Sequence, residues 1–239
     1  MMIYGTTFYK GDEIRHTYRD WGLLQVGPAI VSPPKVQTYF IKVPGRDGSL
    51  DYTTALDGNV HYESREFSTT LKCVSGRDDL KDTYHKMLNY LHGRKLRAVC
   101  DDDPNYYWDG RFEVEEPKWS KKGFWTIDVS GQVDPYKYNI STSTGDWLWD
   151  PFVFATDIAW DYSNIEVDGE QEIVVVASGM PTTPIFNLTA PMTMQVNGAQ
   201  YDLPAGASMV PGLILTDTEK TFVFTGTGEV TIGFRGGSL

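Results

Sequence analysis

Only one stretch of this chain has a helical period, and that bounds what it can fold into. In "DDLKDTYHKMLNYL", Asp78 to Leu91, the apolar residues Leu80, Tyr84, Met87, Leu88 and Leu91 recur at i, i+4, i+7, i+8 and i+11, the stripe of an amphipathic helix. Asp78 and Asp79 fall in its first turn and His92 in its last, and Gly93 can supply a left-handed cap. Apolar residues elsewhere come in short alternating runs between Gly, Pro, Asn and Asp, the pattern of strands and tight turns. The expectation is a mainly β protein, and 23 Gly, 13 Pro and 14 Tyr suit it. The 239 residues allow two modest domains, and 41% hydrophobic with 13% aromatic content excludes a disordered chain.

"KVQTYFIKV", Lys35 to Val43, reads as a strand that "PGRDGS" breaks. A second strand is expected from about Asn59 to Val74, with Phe67, Thr69, Leu71 and Cys73 on one face. The two strands and their Gly-rich link form an extended arm. Val36, Tyr39, Phe40, Ile41, Arg46, Asp47, Leu50, Tyr52, Arg65 and Phe67 are its candidate contacts with another subunit. Strands follow at 95–99, 107–114 and 124–133. "DPYKY" and the polar "NISTSTGD" mark a boundary, giving an N-terminal β domain with one helix (1–138) and a C-terminal domain (139–239). The second has short runs at 172–177, 184–190, 193–196, 213–216, 221–225 and 230–234, as in a β-sandwich or jelly roll. "FTGTGEVTIGF" reads as a hairpin turn, since no helix follows its glycines as a dinucleotide loop requires.

The formal charge of −11 argues against a nucleic-acid partner. No basic segment leads into an apolar stretch at the start. The longest aliphatic run, "IVVVA" at Ile173 to Ala177, is far short of a membrane span, so neither secretion nor membrane insertion is expected. Cys73 and Cys100 read as buried small hydrophobes, which fits a reducing compartment.

Two places could carry chemistry. "CDDDPNYYWDGRF", Cys100 to Phe112, holds four aspartates. Placed on a calcium loop starting at Asp101, it puts Tyr106 where Gly makes the turn and Phe112 where a bidentate Glu belongs. That register fails; a turn between strands is favoured, and a looser carboxylate site stays open. In "GDWLWDPFVFATDIAWDY", Trp147, Trp149 and Trp160 beside Asp146, Asp150 and Asp161 could stack a sugar, or close a core. All four histidines precede the boundary, and no nucleophile or metal motif is present. The expectation is no catalysis, no metal and no cofactor.

Several stretches in order resemble the distal tail (Dit) proteins of long, non-contractile-tailed phages and prophages of Gram-positive bacteria. They are "YFIKVPGRDGSLDYTTAL" with "REFSTTLKC", the helix leading to "LHGRKLRAVCDDDPNYYWDGRF", "VDPYKY", "DWLWDPF" and "GTGEVTIGFRGGSL". The resemblance implies a virion structural protein made in the host cytoplasm and placed at the tail tip. It implies a hexameric ring of N-terminal domains with a galectin-like sandwich facing outward. Implied partners are the tail tube, the tail-tip hub and receptor-binding or baseplate proteins, with DNA passing the channel without stable binding. The alternative is a carbohydrate-binding module or glycosidase on the C-terminal sandwich.

Overall fold

Alternation from Arg65 onward is realised as a central strand of a sheet. In the computed structural model, which describes residues 4–73, 77–120, 123–140, 162–177, 179–216 and 219–239, Phe67, Thr69, Leu71 and Cys73 are all buried. The chain divides into two compact units, Met1–Lys137 with Leu239, and Tyr138–Ser238.

The first unit contains β1 (Thr6–Lys10), β2 (Glu13–His16), β3 (Leu23–Gln25), β4 (Ile30–Val31), β5 (Phe40–Lys42), β6 (Ser49–Asp51), β7 (Arg65–Cys73), α1 (Arg77–Leu91), β8 (Arg94–Cys100), β9 (Tyr106–Val114), β10 (Lys118–Trp119) and β11 (Trp125–Val133). Its antiparallel sheet runs β2-β1-β8-β9-β11-β7-β3, with β4 also on β7 and β10 on β11. The helix packs on β8 and β9. It buries Leu80, Met87 and Leu91 fully, and Tyr84 and Leu88 in part. Tyr90, off the expected stripe, is buried as well: its hydroxyl donates to the Glu13 carbonyl at 2.6 Å, with the Phe8 carbonyl at 2.9 Å. Gly93 takes φ +71° and caps the helix as expected. His92 lies just past the helix, and its Nδ1 accepts the Val114 N–H at 3.1 Å, so it serves the sheet instead of the helix dipole.

Gly131 has a packing role. It stands opposite both Phe67 and Phe112, whose rings meet edge-on over it at 5.3 Å. A Cβ there would lie 2.7 Å from the Phe112 ring.

Two strand expectations are narrowed. Of 35–43 only Phe40–Lys42 is strand, and the run expected from Asn59 starts at Arg65. Alternation shows what a segment could pair as; a partner strand decides whether it does. The opening hairpin β1–β2 was not anticipated.

Past β12 (Lys137–Asn139), at the division, come β13 (Ile165–Val175), β14 (Ile185–Leu188), β15 (Met192–Val196), β16 (Ala199–Leu203), β17 (Gly206–Met209), β18 (Lys220–Gly233) and β19 (Gly237–Ser238). The sheet order is β16-β15-β18-β14-β17, with β13 along β18. The hairpin turn expected in "FTGTGEVTIGF" is absent: β18 continues through it without reversing. Gly226 and Gly228, at φ +152° and +148°, are instead the bend of one long strand. The bend can be measured. Phe186 pairs by backbone with Ile232, yet its ring lies 5.3 Å from that of Phe222, ten residues earlier on β18. Ten extended residues span roughly 33 Å, so β18 coils until its two halves face each other across one core, a β-sandwich in build. The strand expected at 213–216 is only an isolated bridge, Thr182 to Leu215. Among the described residues no helix is long and apolar enough to cross a membrane.

Candidate interaction surface

The chain leaves the first sheet after β4 and rejoins it at β7, and residues 32–64 form the excursion between. Its stem is tied by the Gln37 N–H to the His61 carbonyl and the Glu63 N–H to the Lys35 carbonyl, both 2.8 Å, flanking a bridge from Val36 to Tyr62. Arg65 fastens the base. Its Nε donates to the Ser32 carbonyl at 2.5 Å, Nη1 to the Pro135 carbonyl at 3.4 Å, and the guanidinium covers the Trp108 ring at 4.7 Å. Burial lowers its pKa from the usual value.

Beyond the stem, β5 and β6 pair only with each other among the described residues. Ile41 stands opposite Leu50, and the Tyr52 N–H donates to the Tyr39 carbonyl at 2.8 Å. Side chains alternate across a strand, so Tyr39, Ile41, Leu50 and Tyr52 share one face, while Lys42, Ser49 and Asp51 share the other with Phe40. Local polar knots hold this shape. Asp51 accepts the Thr53 N–H at 2.9 Å and Asp57 the Asn59 N–H at 3.0 Å. Hydrogen bonds from Thr53 and Asn59 hold the two carboxyls below the usual carboxylate range.

The apolar face is uncovered. Tyr39 is 65% exposed, and Ile41 and Tyr52 are exposed as well; off that face, Phe40 is 57% exposed, Leu56 98%, and Val36 is exposed too. Arg46 and Asp47 lie exposed at the turn, and Leu50 is half-buried. A two-stranded hairpin with one apolar face and no layer against it is marginal alone in water. Phe67 drops out of this surface: it is 1% exposed, with its ring committed to Phe112 in the core. Leu56, Val43 and Val60 belong with the arm's exposed set and were missed, although each is an aliphatic residue near a Gly turn.

The aspartate-rich segment is a strand end, a turn and a strand start: β8 ends at Cys100 and β9 begins at Tyr106. Its carboxylates point to separate partners. Asp101 lies 3.1 Å from His16 Nε2, Asp103 2.7 Å from Lys137 Nζ and Asp109 3.7 Å from Arg97 Nε. Among the described residues no three of His, Cys, Asp and Glu gather as a metal site. Cys73 and Cys100 are both buried, and burial, then Asp102, pushes Cys100 up to about 12. Trp147, Trp149 and Trp160, the sugar-stacking candidates, lie outside the described residues, as do Asp146, Asp150 and Asp161.

No family model and no curated protein matches the chain. Among solved structures it is similar to the SPP1 Dit (gp 19.1) protein, described as a paradigm of the hub adsorption apparatus in Gram-positive infecting phages. The likeness covers 100% of both chains with a TM-score of 0.57 and 14% sequence identity. At that identity it is a likeness of architecture: the chain has a Dit-like fold.

Proposed function

We propose that this protein is a distal tail component of a siphophage or prophage, structural and not catalytic. Six copies form a ring at the tail tip that joins the tail tube to the host-adhesion apparatus. The first unit builds the ring, and the second, a galectin-like sandwich, carries the outward contacts. One observation carries the reading: the likeness to a phage hub protein runs the whole length of both chains. The arm supports it independently, since a hairpin with an uncovered apolar face is made to be covered by something else.

The test is the mass in solution, by light scattering after size exclusion and by negative-stain imaging. A ring of six would have six times 26.9 kDa, about 161 kDa. A chain ending after Tyr138 should still close. A full-length protein that stays monomeric at all concentrations would sink the ring. A truncated chain that stays monomeric while the full chain assembles would move the ring contacts to the second unit.

A further inference from the structure

We infer that His16 is a proton-operated latch. Neutral, its ring holds the turn that closes the first unit's sheet; charged, it releases that turn and stays on Asp101. The strand order of the sheet ends at β2 and β3, yet the two ends meet. The Thr17 N–H donates to the Thr6 carbonyl and the Leu23 N–H to the Thr17 carbonyl, both at 3.0 Å. Thr6 Oγ1 donates to Gln25 Oε1 at 2.9 Å, and the Thr6 N–H donates to Thr17 Oγ1 at 3.1 Å. The sheet closes on itself through residues 17–22, and His16, buried, stands where that turn begins.

A neutral imidazole has one donor nitrogen and one acceptor. His16 Nδ1 lies 3.1 Å from the N–H groups of both Tyr18 and Arg19, which only an unprotonated nitrogen can accept. The proton is therefore on Nε2, which donates to Asp101 Oδ2 at 3.1 Å. Gly5 leaves room for this pair: a Cβ there would lie 2.5 Å from Nε2 and 2.7 Å from the Asp101 oxygen.

A second proton can go only to Nδ1, where it turns the acceptor of two N–H groups into a donor facing them. Both hydrogen bonds are lost at once. The bond at Nε2 strengthens, because a charged ring facing a carboxylate is a charge-assisted pair. Asp101 supplies that carboxylate from the turn after β8. Asp102 and Asp103 follow it, the latter 2.7 Å from Lys137 Nζ. On the ring's own turn, Asp20 Oδ2 accepts the His16 N–H at 2.7 Å. Thr7, opposite on β1, and Gln25 on β3 carry no charge, and Cys100 on β8 is kept neutral by its raised pKa. On β2, Glu13 lies 3.1 Å from Arg15. The rest of the turn is held without the ring: the Asp20 N–H donates to the His16 carbonyl at 3.1 Å, and Trp21 is buried 5.8 Å from the Tyr90 ring. Release is confined to Tyr18 and Arg19, both exposed. The output is a surface whose shape follows acidity across the range where imidazoles titrate.

The test is NMR of the isotope-labelled full-length protein. At pH 8 the His16 ring should carry its proton on Nε2. Between pH 8 and pH 5 the protection factors of the Tyr18 and Arg19 amides should fall at least about tenfold, as the loss of one ordinary hydrogen bond implies. His16→Asn puts a non-titrating oxygen in place of Nδ1, so there the two amides should be equally protected at both pH values. Asp101→Asn removes the charge that favours the protonated ring, and release should need a pH at least about one unit lower. That variant also carries the test should His16→Asn lose its fold by circular dichroism. A proton on Nδ1 at pH 8, or wild-type amides equally protected at both pH values, overturns the latch. So does an equal loss of protection in His16→Asn, or an unshifted release in Asp101→Asn.

Discussion

The bend in β18 can be tested with one methyl group placed at two positions on the same strand. At Gly226 the backbone sits at φ +152°, and an added Cβ would lie 2.9 Å from Met192 Cγ and 3.3 Å from Met192 Cβ. Met192 Cβ is fixed to the backbone of β15, and Cγ can leave only by turning χ1 of a side chain that is itself buried in the core. Backbone strain of this kind costs about 1–3 kcal/mol, and overpacking about 1–3 kcal/mol more. Gly226→Ala should therefore destabilise the second unit by at least about 2 kcal/mol. For a unit of roughly 100 residues that is a drop in Tm of about 8 °C or more. Gly233 is the control: it ends the same strand, and the nearest heavy atom to an added Cβ is the Ile185 carbonyl oxygen at 3.9 Å. Gly233→Ala should be neutral or stabilise by about 0.5 kcal/mol, by restricting the unfolded chain. Differential scanning calorimetry of the full-length chain reads both. Equal melting of the two variants, or a Gly226→Ala protein indistinguishable from wild type, would refute the coiled-strand argument.

Alkaline stability should follow two buried groups. Burial, with Glu13 second, pushes Tyr90 from 10.0 up to about 12, and Cys100 rises from 9.0 to about 12. Unfolded, both lose their protons earlier, so the unfolded state binds fewer protons across that window. Stability should be level below pH 9 and fall as pH rises to 12. The urea midpoint measured at pH 8 and pH 11 checks this, and Tyr90→Phe with Cys100→Ala should flatten the decline. Arg65→Lys keeps the charge but loses the planar fork on Ser32 and Pro135. It should cost about 1 kcal/mol and speed amide exchange in β5 and β6; unchanged exchange would show the arm is anchored elsewhere. Duplex DNA at about 50 mM salt, where non-specific binding is strong, should not be retained in a mobility-shift assay. Micromolar binding that weakens with salt would reveal a basic surface.

How much was legible depended on whether the signal was local. The α1 stripe, the Gly93 cap and the inward face of β7 follow from spacing alone, and each is where its residues put it. The aspartate segment was legible by failure, because Tyr106 and Phe112 are incompatible with a calcium loop. The bend of β18 was not legible. A G-x-G between alternating runs reads the same whether the chain reverses or coils, and only the rings of Phe186 and Phe222 show which. Phe67 was assigned to the arm because it continues an alternating run. The core claimed it through Gly131, a partner 64 positions away. Nothing in the alternation of 35–43 says that it finds no sheet to join, and that is why its apolar residues are exposed.

The net charge is divided unevenly between the two units. Residues 1–137 hold 19 Lys and Arg against 20 Asp and Glu, a net of 19 − 20 = −1; residues 138–239 hold 2 against 12, a net of 2 − 12 = −10. Nearly the whole −11 therefore belongs to the second unit. Its two cations are engaged: Lys220 Nζ donates to the Ile214 carbonyl at 2.7 Å and Arg235 covers the Tyr138 ring at 3.4 Å. A channel wall made of six first units would carry about 6 × −1 = −6 in place of the −66 that six whole chains suggest. Long-range repulsion cannot then keep DNA off such a wall, since charges beyond a Debye length of about 8–10 Å are screened. What remains is local pairing. Arg97 faces Asp109, Lys118 faces Glu115 and Asp128, and Lys137 faces Asp103. A cation already paired with a carboxylate has little left to offer a phosphate, and counterion release, which drives non-specific binding, needs cations in excess. The two explanations separate experimentally. Neutralising Glu166, Glu170 and Glu172 to Gln in the second unit should leave DNA unbound. Asp103→Asn, Asp109→Asn and Asp128→Asn together should create salt-sensitive binding. The opposite pattern would return the effect to repulsion by the acidic unit.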